Sequence, residues 1–287
     1  MNEASPIANV GNMLGESPRW HSRENTLYWV DIKQGEIHTL SLENMKHEVY
    51  NIGTPVGCLS FRDSGGLVLA TGRGFMYWSE REGITQIIDP RTGSEEGRFN
   101  DGAVDPQGRF WAGTMTPEGS NNCLYRLDPD GSVERMETGI AISNGIGWSP
   151  DGTTCYFTDS PKRTIYAYDF DTSEGKIFDR RVWVHTPDDP GVPDGLVVDH
   201  EGCVWSARWD GWKVERYDPD GKLISEIRVP CQRPTSCTFG GEELGTLFIT
   251  SAREGLDERA LLEQPFAGDL FHTETETRGL GTAFFSG

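Results

Sequence analysis

Four oxygen-bearing side chains, Glu16, Asn100, Asn144 and Asp194, occupy one phase of a repeat that runs through this 287-residue chain. Glu and Asp carboxylates with an Asn carbonyl form an all-oxygen donor set, the kind that holds Ca2+, Mg2+ or Mn2+. Taken singly, each is an ordinary turn residue, because Asp and Asn at strand entrances often bond their own backbone. Their shared phase adds more. Equivalent positions of a closed circular repeat meet around one axis, so Glu16 and Asp194, 178 residues apart, can share one cation. Two acids and an amide buried in a channel need such a cation, since unpaired buried carboxylates are costly. The expected ligands are Glu16, Asn144 and Asp194. Asn100 falls in a repeat between those of Glu16 and Asn144, flanked by Arg98 and Asp101. An arginine there reads as a donor to hydroxyls or to a developing oxyanion.

The elements that must position these groups follow from the anchors of the repeat. Trp20, Phe61, Val104, Trp148, Val198 and Phe239 lie 41, 43, 44, 50 and 41 residues apart, each shortly before a turn. Four residues ahead of them stand Glu16, Gly57, Asn100, Asn144, Asp194 and Thr235. Glycine follows four residues after the anchor at 65, 108, 152 and 202, where a hairpin needs positive φ. An apolar strand comes next, as at Leu67–Thr71 and Phe110–Met115. A third strand alternates apolar and polar residues, as at Ile165–Asp169, so one of its faces is wet. Asp-Pro-Asp-Gly closes it at Asp128–Gly131 and Asp218–Gly221, and a more polar fourth strand follows.

Four antiparallel strands repeated six times predict an all-β, six-bladed β-propeller with a central channel. Residues 1–287 read as a single domain, with the segment before Glu16 supplying the outer strand of the last blade. The long spacing of 50 predicts a loop over His185–Pro193 that overhangs the channel mouth and ends at Asp194. The only helix expected covers Asp257–Glu263.

A net charge of −19 argues against nucleic acid or an anionic membrane as partner. No run of 18 apolar residues and no export signal are present, which makes the cytoplasm the expected compartment and free thiols the expected state of the six cysteines. The six histidines include no H-E-x-x-H zinc pair, and G-x-S-x-G and phosphate-cradling loops are missing. No feature specifies an oligomer.

Gly15–Pro18, Arg98–Gly102, Gly113–Met115, Ile142–Gly145, Pro193–Leu196 and Ser236–Gly241 together resemble the regucalcin/gluconolactonase family, also called the senescence marker protein family. The likeness runs in order from about residue 13 to about residue 271, through all six repeats. It implies a metal-dependent hydrolase that opens a sugar-acid lactone to the aldonic acid. It also implies that Glu16, Asn144 and Asp194 bind one divalent metal, calcium first, with Mg2+, Mn2+ or Zn2+ as alternatives. Asp194 is then the general base as well, and Arg98, Asn100 and Asp101 face the substrate. Some members carry a longer segment after the G-T-M motif, with a carboxylate that covers the substrate. Here only Thr116–Asn122 stands in that place, with Glu118 as the candidate replacement. The alternative class is a non-catalytic propeller that binds calcium or a small ligand.

Overall fold

Each repeat folds as one antiparallel sheet, because its apolar second run can be covered on both faces only between neighbouring sheets. The structure, a computed structural model, describes residues 2–91 and 97–287. Six sheets follow in chain order, each with its first strand innermost. The inner strands are Gly15–His21, Val56–Phe61, Arg98–Val104, Ser143–Trp148, Val192–Val198 and Pro234–Gly240. The second strands are buried almost throughout, as the inner strands are; Leu67–Thr71 is buried at every residue. Gly108 and Gly202 both take φ of 81°, and each N–H donates to the carbonyl three residues earlier at 3.0 Å, closing the turn.

The core is divided among six hydrophobic clusters, one for each contact between neighbouring blades. Trp111, Trp148, Phe157 and Phe170 fill the contact of blades three and four. Trp20 and Trp29 meet Phe248 and Leu270 where blade one closes on blade six. Exposure is left to the outer strands, as at Gly83–Ile88.

The chain start ties two blades together. Ser5–Ala8 lies antiparallel to Leu270–Glu274 as the fourth strand of blade six, with Ser5 opposite His272. Asn2–Glu3 adds a short parallel strand outside Leu223–Arg228 of blade five. At the other end, residues 279–287 cross the channel mouth remote from Glu16. Thr282 Oγ1 donates to Trp20 O at 2.8 Å, Phe285 N to Phe61 O at 2.8 Å, and Ser286 N to Gly108 O at 3.0 Å. Phe285 itself is fully buried in the cluster of blades two and three.

One expectation needs correction. Residues 185–193 are not all loop: Lys176–His185 is a ten-residue outer strand and Val192–Val198 is the next inner strand. The extra length of blade four goes largely into strand, because Thr164–Asp171 is long enough to pair with Lys176–His185 throughout. Only residues 186–191 remain as connection. Arg163 holds it through carbonyls of Asp189 at 2.6 Å and Gly191 at 3.2 Å, and Lys213 pairs with the Asp189 carboxylate at 3.1 Å.

The helix is Glu258–Glu263, capped by Asp257, whose carboxylate accepts from Ala260 N at 2.8 Å. Among the described residues no helix is long and apolar enough to cross a membrane.

Candidate metal centre and active site

In every blade the inner strand slips register against the second strand near its start. The slip falls between Glu16 and Arg19, Val56 and Cys58, Phe99 and Gly102, Ser143 and Ile146, Pro193 and Leu196, and Pro234 and Ser236. A bulge of this kind re-aims a side chain that regular alternation would send elsewhere. Asn100, Asn144 and Asp194 lie within such slips and Glu16 stands at the edge of one, and each is at most 7% exposed. Blade one holds its bulge with a non-glycine residue in the left-handed region. Ser17 has φ of 49°, its N–H donates to Glu16 Oε2 at 2.9 Å, and its Oγ accepts from Leu59 N at 3.2 Å.

Close approach of the inner strands adds the second requirement. A Cβ on Gly145 would sit 2.8 Å from Asp194 O and clash with Leu196 N, and one on Gly195 would clash with the Ser236 side chain. Glycine after Asn144 and after Asp194 therefore lets blades four, five and six crowd the axis. Blades two and six bring no donor to the set: Gly57 has no side chain, and Thr235 Oγ1 donates to Gly15 O at 2.5 Å.

The acids here differ from acids that merely cap turns. Asp31 accepts backbone N–H groups from Met13 at 2.7 Å and Leu14 at 3.2 Å, and from Lys33 and Gln34 besides. Asp159 accepts from Ala141 and Ile142 and pairs with Lys162 at 2.8 Å. Glu16 has one backbone donor. Its carboxyl is pushed up from 4.5 to about 8, first by burial and then by the charge of Asp101. Asp194 is raised well above the usual carboxylate range by burial, then by Glu16 and Asp101; Gly195 N–H and the Asn144 amide offset this in part. Asp101 is raised by burial and lowered by Arg19. These three buried acids share one electrostatic neighbourhood, which is the condition a divalent cation relieves.

The amides form a chain of fixed polarity. Arg98 donates to Asn100 Oδ1 at 2.6 Å and to its own neighbour's carbonyl, Phe99 O, at 3.0 Å. Asn100 Nδ2 donates to Ser143 O at 2.8 Å and faces Asn144 Oδ1 at 3.4 Å. Burial lowers Arg98 to about 10, with Glu254, Glu16 and Asp194 opposing. Among the described residues no three His, Cys, Asp or Glu side chains group for metal binding. The set that does converge is two carboxylates and an amide carbonyl, and its chemistry suits a hard cation.

Of the residues singled out from sequence, Glu16, Asn100, Asp101, Asn144, Asp194 and Arg98 come together. Glu118 lies exposed in the turn after Met115, whose strand pairs with that of Arg98. Three contributors went unread. Arg19 donates to Pro18 O at 2.8 Å and to Gly102 O, placing its charge below Glu16 and Asp101. Ser160 touches Asn144, and Glu254 is the acid that acts most on Arg98. Only Arg19 left a trace in the sequence, three residues after Glu16 on the same strand. A cavity of about 270 Å3 also lies at the far end of the channel, lined by Arg19, Val104, Trp148 and Leu280. None of the four phase-matched residues borders it.

Residues 14–253 match the family model described as SMP-30/Gluconolactonase/LRE-like region. The chain is 37% identical to a 6-deoxy-6-sulfogluconolactonase of Pseudomonas putida, over 100% of each chain. It is 38% identical to a pentonolactonase of Haloferax volcanii, over 86% of this chain and 84% of that one. Among solved structures it is similar to a calcium-binding protein, regucalcin, of Agrobacterium tumefaciens. There the TM-score is 0.95 at 29% identity, covering 99% of this chain and 97% of the other. The family match covers most of the chain and the fold likeness nearly all of it, and the chain belongs to the SMP-30/gluconolactonase/LRE-like family.

Proposed function

We propose that this protein hydrolyses the internal ester of an aldonic acid, a sugar lactone, at the top of the propeller channel, with one divalent cation held by Glu16, Asn144 and Asp194. The observation that carries this reading is the convergence of two repelling buried acids and an oriented amide beside a buried-side arginine. Two relatives of nearly equal identity are named for different lactones, which supports the reaction class rather than one sugar. Calcium is the first choice of ion, supported by the oxygen-only donors and by the calcium-binding relative.

When bound, the cation would polarise the lactone carbonyl and acidify a nearby water. Asp194 takes a proton from the attacking water as its oxygen joins the carbonyl carbon. The ring C–O bond then breaks, and the proton passes from Asp194 to the leaving oxygen, giving a hydroxyl and a free carboxyl group. Arg98 has donors for the charge that builds on the carbonyl oxygen or for a sugar hydroxyl. Asn100 is held by Arg98 and Ser143, so it contributes orientation of Asn144 in addition to any substrate contact. Asp101 sits against Arg19 and sets the charge beneath Glu16. All six cysteines are free thiols, which supports a cytoplasmic setting.

The test strips the protein with a chelator, reloads it with Ca2+, Mg2+, Mn2+ or Zn2+, and follows acid release from a panel of five- and six-membered aldonolactones. Acid release should return only with cation and by at least about 100-fold over the stripped protein. Calcium binding with no acid release from any lactone would instead favour a non-catalytic ligand-binding protein.

A further inference from the structure

Behind the candidate centre, at the junction of blades four and five, lies the buried hydroxyl of Ser160. Ser160 follows strand Thr154–Asp159 and opens the short turn Ser160–Lys162. Its Oγ donates to Pro193 O at 2.6 Å and accepts from Asn144 Nδ2 at 2.9 Å. A hydroxyl has one proton, and a proline carbonyl can only accept, so the proton is committed to Pro193. What faces Asn144 is a lone pair, which attracts an amide NH2 and repels an amide carbonyl.

Asn100 imposes the same polarity from the other side. Its Oδ1 is taken by Arg98 and one Nδ2 proton by Ser143 O, so the group it turns toward Asn144 Oδ1 is an N–H. Asn144 is thereby left with Nδ2 toward Ser160 and Oδ1 on the side of Asn100, where a cation could take it. The Pro193 carbonyl that Ser160 holds immediately precedes Asp194. One side chain fixes two of the three proposed ligands.

We infer that Ser160 is the positioning residue of the metal centre, setting the amide orientation of Asn144 and tying the Asp194 backbone to the same point. The inference rests on the proposed metal centre. Without the hydroxyl, the Asn144 NH2 loses its acceptor, and only the long 3.4 Å contact from Asn100 resists a turn that would aim that NH2 at the cation, which a cation rejects. Residues that orient ligands in this way typically change metal affinity by about 10- to 100-fold.

The experiment measures calcium binding to chelator-stripped protein by titration calorimetry, with no lactone present, and melts the same samples. Ser160→Ala should weaken calcium binding by about 10-fold or more. Its metal-free Tm should stay within about 4 °C of wild type. Ser160→Thr, which keeps the hydroxyl, should recover affinity to within about 3-fold of wild type, since most of the loss is orientational. In an Asn144→Ala background the loss caused by Ser160→Ala should shrink, because its main target is gone. Wild-type affinity in Ser160→Ala would overturn the inference, as would equal losses in the alanine and threonine variants. So would a loss that follows a fall in metal-free Tm and is undiminished in the Asn144→Ala background. Failure of wild type to bind any divalent cation is a separate result, seen before any substitution, and would remove the metal centre and this inference together.

Discussion

Asp194→Ala is expected to lower lactone hydrolysis by at least about 10³-fold while the propeller stays folded. The size follows from two losses at one position. A positioned base contributes about 10²- to 10⁴-fold, and the same carboxylate carries one of the two negative charges that would hold the cation. Folding should survive because Asp194 is not part of any hydrophobic cluster and is pressed, in metal-free protein, against the charges of Glu16 and Asp101. Asp194→Asn separates the two losses, since it keeps an oxygen donor but cannot accept the proton. At saturating cation the asparagine variant should bind and remain slow. The check is kcat/KM from acid release at constant pH, beside a thermal melt. Turnover within about 10-fold of wild type in either variant, at saturating cation, would take the base role away from Asp194.

Glu16→Gln should make the metal-free protein more stable and the calcium-loaded protein less so. Burial and the neighbouring Asp101 raise the Glu16 carboxyl from 4.5 to about 8 in the folded chain. A group raised in this way binds its proton more tightly folded than unfolded. Its stabilising contribution is complete below about pH 4.5 and is lost as pH climbs through about 8. Metal-free wild type should therefore lose Tm between about pH 5 and pH 8, and Glu16→Gln, with nothing to ionise, should lose less. At pH 8 the variant should melt a few degrees higher, and near pH 4.5 the two should coincide. Calcium reverses the order. A ligand at about 100 times its Kd adds about 2.7 kcal/mol to the form that binds it, and the variant has lost one of two charged ligands. Calorimetric melts with chelator and with calcium, at both pH values, read all four cases. A metal-free variant that melts below wild type at pH 8 would show that Glu16 is not the repelled buried acid described here.

The propeller was legible because its signals are local and repeated. The anchors mark turns, glycine after the anchor marks the hairpin, and the apolar second strand marks the layer buried on both sides; Leu67–Thr71 and Phe110–Met115 match the observed strands at both ends. The shared phase of Glu16, Asn144 and Asp194 was legible for the same reason. What local pattern could not carry was where the strands around residues 186–191 end: His185, Val192 and Pro193 sit among prolines and look like loop until Thr164 and Val204–Trp209 are placed beside them. Nor could it carry the bulges, which appear only as a slip between two paired strands. Arg19 and Ser160 were missed because their importance comes from neighbours distant in sequence, Gly102 for the first and Pro193 for the second.

The proposed chemistry requires one cation shared by strands from blades one, four and five. The most direct measurement is a crystal grown with calcium and recorded at a wavelength where calcium scatters anomalously. The expected result is a single peak on the channel axis, with oxygens of Glu16, Asn144 and Asp194 all about 2.3–2.6 Å from it. A map with no peak there, or with the Glu16 and Asp194 carboxylates turned to separate partners, would contradict it.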